Sequence, residues 1–320
     1  MKRSIAQYMD ELIRKNKIVR LTETKILDST HVSHINLMLD YADLHIYTHD
    51  EGNMTLTLHT YEDGPTLQRQ NKETYIDIVI KSKNNKKSFF HTYPTVRLEI
   101  KVPEKTAFQW CIEARAGDLN MTDVTFQTLN VKASAGDLSL NRIKAGKLAI
   151  TCNSGDIKVA DLVGESLQLY TNSGDLHLQN ITARMMTCSA GSGDITGLNV
   201  VVQMLNIKVT SGDINFDTAA QHVTAEANSG DVMLKMPKLG EMNDLMTRSG
   251  RLALYVVEEV NANIDITVTS GSVITNLPIK LVKNNMRSYY KGKSGDGRSN
   301  VRLSATSGDI ILQTRKNISI

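Results

Sequence analysis

Aspartate follows glycine at Asp118, Asp137, Asp156, Asp175, Asp194, Asp213, Asp231 and Asp309. Rows of carboxylates could hold cations or supply the acid and base of glycoside cleavage. Calcium-binding β-rolls use a Gly-Gly-x-Gly-x-Asp turn, which this chain lacks. Enzymes that cleave acidic polysaccharides on a stacked β scaffold gather an unrepeated group of charges in one groove, whereas these acids repeat uniformly. There is no Gly-x-Ser-x-Gly elbow, phosphate loop or metal-binding helix motif. The histidines include His31 and His34, and then His45, His49 and His59, at spacings that match strand faces better than a ligand set. Cys111, Cys152 and Cys188 are an odd number with no metal-clip spacing, so neither a zinc site nor a disulfide framework is expected. The reading is of no catalytic residue, no metal ligand and no cofactor, with the aspartates as turn carpentry. Carboxylates stacked about 4.8 Å apart repel by roughly 0.9 kcal/mol per neighbouring pair even in water. Turn hydrogen bonds must therefore offset that repulsion, and a cation on the ladder stays an open alternative.

The elements that position these residues follow from the glycines. Gly117, Gly136, Gly155, Gly174, Gly193, Gly212, Gly230, Gly250, Gly271 and Gly308 are separated by 19, 19, 19, 19, 19, 18, 20, 21 and 37 residues. A fixed period near twenty marks a solenoid. Apolar residues stand seven and five places before the glycine, as in Leu129 and Val131 or Leu167 and Leu169, and again two and four places after it, as in Leu138 and Leu140 or Leu176 and Leu178. This is the strand period of two, interrupted by a Ser-Gly-Asp corner where glycine supplies positive φ. Another apolar residue stands seven places past the glycine, as Ile143, Leu162, Ile181 and Val200, so each unit reads as strand, Ser-Gly-Asp corner, strand and second corner. The fold class is all-β, a single-chain parallel β-solenoid with rungs of about 19 residues and a short N-terminal α-helix.

Domain boundaries are expected as an amphipathic helix over 1–21 and the solenoid over 22–320. Within the solenoid, irregular opening strands span 22–105, regular rungs 106–275, a basic excursion 276–300 and a final rung 301–315. The segment "INLMLDYADLHIYT" fits the rung template with Ala42 in the glycine slot and Asp43 behind it. The helix sets Ile5, Tyr8, Met9, Leu12 and Ile13 on one face, suited to capping the open end of the rod or to lying on a membrane.

Net charge is only +3, but it is unevenly spread. Residues 1–20, 81–93 and 280–302 carry +4, +4 and +6, which leaves −11 on the rest. Lys83, Lys86, Lys87, Phe89 and Phe90 in one excursion, and Arg287, Tyr289, Tyr290, Lys291 and Lys293 in the other, interleave cations with aromatics. That suits an anionic membrane or polymer surface, the alternatives being a protein partner or a solvated hairpin. Nucleic acid is not expected as a partner, while end-to-end self-association is possible for a solenoid. No apolar run reaches the eighteen or so residues of a transmembrane segment, and the N-terminus lacks a signal peptide. A cytoplasmic or membrane-peripheral location follows as the expectation.

The "SGDI.L" corners, "VRLEIKVPEKTAFQW" and "GDGRSNVRLSATSGDIIL" together resemble the bacterial putative-adhesin domain of unknown function over roughly residues 25–315. The chain is similar in particular to the solenoid half of Lia-type cell-envelope stress proteins. The resemblance implies a non-catalytic binding or scaffold protein at or near the envelope and supplies no catalytic residues. A self-assembling, bactofilin-like structural protein is the second reading, and a β-helix polysaccharide enzyme the third.

Overall fold

The computed structural model describes residues 19–72, 74–81, 94–104, 108–284 and 287–314, and all regular structure among them is β. The opening strands are β1 (Arg20–Leu27), β2 (His34–Tyr41), β3 (Asp43–His49), β4 (Met54–Tyr61), β5 (Thr66–Lys72), β6 (Tyr75–Lys81) and β7 (Arg97–Pro103). The regular section runs β8 (Phe108–Ala116), β9 (Leu119–Thr122), β10 (Thr125–Ala135), β11 (Leu138–Ser154), β12 (Ile157–Ser173), β13 (Leu176–Ser192), β14 (Ile195–Ser211), β15 (Ile214–Ser229), β16 (Val232–Met236), β17 (Met242–Ser249) and β18 (Leu252–Val256). β19 (Ala262–Ser270), β20 (Val273–Thr275), β21 (Ile279–Asn284), β22 (Arg287–Ser294), β23 (Ser299–Ser307) and β24 (Ile310–Thr314) complete the chain.

Two corners shape each regular rung. At the Ser-Gly-Asp corner Gly174 has φ of 146°, and a Cβ there would stand 2.1 Å from the carbonyl oxygen of Gly155 in the adjoining rung. Glycine is thus needed for its conformation and for the close stacking of rungs. Six residues past the glycine, Asp123, Arg142, Asp161, Asn180 and Asn199 take the left-handed conformation at the second corner. Four of the five are Asp or Asn, which tolerate it best among residues with a side chain. Parallel registers then join equivalent residues, as Leu148 to Leu167 to Met186 to Leu205. The positions that the period of two assigns to the interior are buried, including Leu129, Val131, Leu167, Leu169, Leu176 and Leu178. Trp110 joins them, edge-on to Phe126 with ring centroids 6.2 Å apart.

Rung order departs from chain order at both ends. β2 and β3 lie between β6–β7 on one side and β8–β9 on the other. At the far end β23 is parallel to both β17 and β19, and β24 to both β18 and β20. The rung expected at 301–315 as the last therefore lies inside the stack, flanked by rungs that precede it in sequence. Its inward residues Val301, Leu303, Ile310 and Leu312 are all buried.

Antiparallel strands occupy the ends. β4 pairs with β7 and β1 with β4, while β5 pairs with β6. Opposite them, β22 pairs with β19 and β21 with β22, so the basic excursion of 276–300 is a hairpin laid along the terminal rung. These antiparallel pairs cover strand edges that would otherwise template association. Of the amphipathic helix expected over 1–21, residues 1–18 lie outside the described residues. Arg20 and Leu21, assigned with it, belong to β1.

Candidate functional site

The aspartates act between rungs. The backbone N–H of Asp118 donates to Oδ1 of Asp43 at 3.0 Å, that of Asp137 to Asp118 at 3.0 Å, and the pattern continues through Asp156, Asp175, Asp194, Asp213 and Asp231. The turn hydrogen bonds expected within each corner are thus made to the neighbouring corner, and each carboxylate gains an N–H to offset repulsion along the ladder. After Asp231, which accepts from the Arg251 N–H, the run breaks. Asp309 accepts from the hydroxyl and N–H of Ser272, which together hold its carboxyl below the usual range.

The second corner carries its own ladder, absent from the sequence reading although its residues recur six places past the glycine. Arg142 grips Asp123 with two hydrogen bonds of 2.5 and 2.7 Å, and this contact holds the Asp123 carboxyl below its ordinary value. Asn180 donates to Asp161 at 2.8 Å and Asn199 to Asn180 at 3.0 Å. Both ladders tie one rung to the next. Cys152 and Cys188 are buried, and burial pushes both thiols up, away from the reactive thiolate. Cys111 is partly exposed. Ellman's reagent should therefore titrate one thiol in the native protein and all three in denaturant; three fast native thiols would contradict the packing.

One rung differs chemically. His177 stands three places past Gly174, where the rungs beside it carry Lys158 and Thr196. Its Nδ1 is 2.9 Å from the Thr196 hydroxyl and its Nε2 is 3.9 Å from Oδ2 of Asp175. Potential ligand atoms of Asp156, Asp175 and His177 all lie within 4.8 Å of one another. No spacing along the chain announces this trio, because Asp156 belongs to the preceding rung. The available signal was an imidazole beside the Asp ladder. His177 also lines an open groove of about 840 Å³ with Lys158, Gln179, Leu198, Asp217 and Lys235.

The strands that root the two basic excursions lie at opposite ends of the stack. Lys83, Lys86, Lys87, Phe89 and Phe90 lie outside the described residues, but the strands they join, β6 and β7, form the outermost parallel rung at one end. The β21–β22 hairpin is at the other end, twelve strand steps away along the long face. At about 4.8 Å per step the separation is roughly 58 Å. Tyr289 and Tyr290 are both half-buried, and Tyr290 packs against the core. Lys291 and Lys293 are exposed, and Arg287 opens β22. Lys291 lies opposite Asp265 and 5.1 Å above the Tyr289 ring; hydrogen bonding to Tyr289, and then Asp265, raises its affinity for its proton.

No helix among the described residues is long and apolar enough to cross a membrane. No curated protein matches the sequence. Among solved structures, a putative adhesin from Parabacteroides distasonis is 16% identical, with 74% of this chain and 97% of that one covered at a TM-score of 0.53, a likeness of fold alone. A putative adhesin from Bacteroides fragilis (15% identity, the same coverages, TM-score 0.47) and a putative lipid binding protein from P. distasonis (12% identity, 91% and 96% covered, TM-score 0.47) are more distant in shape and carry no functional weight. The family model described as Toastrack DUF4097 matches twice, over residues 32–196 and 153–313, two overlapping placements that a periodic rod allows. Together they span nearly all of the stacked rungs, and the chain belongs to the Toastrack DUF4097 family.

Proposed function

We propose that this protein is a non-catalytic binding scaffold of the bacterial envelope, acting in the manner of the Lia-type stress proteins that its sequence resembles and touching an anionic surface through its basic segments. The observation that carries the reading is the segregation of charge. An acidic body bears basic segments rooted at its two ends, and one of these, the β21–β22 hairpin, presents Lys291 and Lys293 to solvent. A rigid rod with cations at both ends lies lengthwise on such a surface and leaves its flanks free for partners. The polysaccharide-enzyme reading finds little support, since the acids nearest His177 are engaged by backbone N–H groups of the ladder. Bactofilin-like stacking is disfavoured by antiparallel strands at both ends and by the like charge of those ends.

Sedimentation with vesicles tests the proposal. Anionic vesicles should bind the intact chain and neutral vesicles should not, with binding weakened as salt shortens the Debye length to about 8 Å near physiological strength. Replacing Lys83, Lys86, Lys87, Arg287, Lys291 and Lys293 by Gln should abolish sedimentation and leave the melting temperature nearly unchanged. Equal binding to neutral and anionic lipid would remove the surface role and leave a protein partner.

A further inference from the structure

We infer that two columns of outward residues, one of alternating charge and one of corner acceptors, select the place of the C-terminal rung between β17–β18 and β19–β20. The first column stands six places before each corner glycine. Parallel registers carry it from Asn130 through Ala149, Gln168, Thr187 and Asn206 to Thr224, none of them charged. It then becomes Asp244, Arg302, Asp265 and, across the antiparallel hairpin, Lys291. The sign changes at every step, and Arg302 reaches Asp244 at 3.4 Å. Stacking in chain order would set Asp265 directly on Asp244. Like charges opposite one another destabilise a strand pair, whereas opposite charges stabilise it. Insertion of Arg302 replaces that one repulsion by two attractions.

The corner column gives the same answer independently. Asp231 accepts the Arg251 N–H at 2.7 Å, but the Arg251 side chain has no acceptor for a corner that follows it. In chain order that corner would be Ser272, whose N–H would face a guanidinium. With the C-terminal rung inserted, Asp309 accepts the Ser272 N–H at 2.9 Å and its hydroxyl at 2.7 Å. The register of β18 with β24 sets the same aspartate beside Arg251. Charges that favour one pairing over another are a device against wrong partners among similar edges. The selection also makes β19 the outermost parallel strand of its face, on which the basic hairpin is laid. It holds whether or not that hairpin touches an anionic surface.

Disulfide trapping in the full chain carrying Cys111→Ser reads the order of the rungs. Met246 stands beside Ser304, and Ser304 beside Thr267. Cα atoms one strand apart are about 4.8 Å from each other, within reach of a disulfide, and those two strands apart about 9.6 Å, beyond it. Met246→Cys with Ser304→Cys should therefore crosslink under mild oxidation, and Met246→Cys with Thr267→Cys should not. Exchanging two charges, Asp265→Arg with Arg302→Asp, keeps the composition and makes chain order the alternating arrangement. The exchange should shift the ratio of the first crosslink to the second by roughly tenfold or more toward the second. Arg251→Asp, which offers Ser272 an acceptor in chain order, should shift it further. Lys208→Glu with Glu226→Lys, an exchange within an ion pair of 3.1 Å between rungs stacked in chain order, should leave the ratio unchanged. Should the first exchange fail to fold, Arg302→Gln with Asp265→Asn removes the preference and should move the ratio roughly threefold the same way. A ratio unmoved by these changes, a ratio moved equally by the Lys208 and Glu226 exchange, or a crosslink between positions 246 and 267 in the otherwise native chain would each overturn the inference.

Discussion

Replacing Gly174 by valine should destabilise the rod by about 3–5 kcal/mol, as the sum of a β-branched residue forced to positive φ and an overpacked contact. The contact is specific: the new Cβ would fall 2.1 Å from the Gly155 carbonyl oxygen, a backbone atom that cannot move without displacing its own rung. Asp175→Asn should cost under about 1 kcal/mol, because the amide oxygen can still accept the Asp194 N–H and the like-charge repulsion with both ladder neighbours, Asp156 and Asp194, disappears. Urea denaturation of both variants measures the difference. Equal losses would mean that the corner depends on the carboxylate charge, and the account of the ladder as backbone carpentry would fall.

Truncating the chain before Ser299 should be still more damaging. In a stack built in chain order, removing the last rung would shorten the rod and leave a soluble protein. Here it withdraws Val301, Leu303, Ile310 and Leu312 from the interior and bares the facing edges of β17, β18, β19 and β20. At roughly 1.5–3 kcal/mol for each large apolar side chain, the loss is about 6–12 kcal/mol, comparable with the whole stability of a typical domain. The truncated protein should scatter light as an aggregate and lose a cooperative transition near its C-terminal end. A monodisperse product with an undiminished transition would show that β23 and β24 do not sit between those rungs.

The periodic interior could be read directly from the residues. Leu129, Leu148, Leu167 and Leu205 repeat because each rung must turn the same side chains inward, and a glycine every nineteen residues marks where the chain must bend. Such features are local: a strand's inward face depends on its own alternation, and a corner on the residue that occupies it. Even Ala42 and Asp43, an imperfect corner, could be matched to the template, and Asp43 does begin the ladder. Adjacency was not legible in the same way. All rungs present nearly the same inward pattern, so nothing in the inward residues of 299–314 says which pair of edges they join, and only the competition among edges in the folded rod inserts them beside β17 and β19. The same reason hid the partner of each aspartate, which lies one rung away, and the antiparallel strands that occupy the ends. It also hid the meeting of Asp156, Asp175 and His177, since these residues become neighbours through the stacking of two rungs and through no interval along the chain that a motif could have shown.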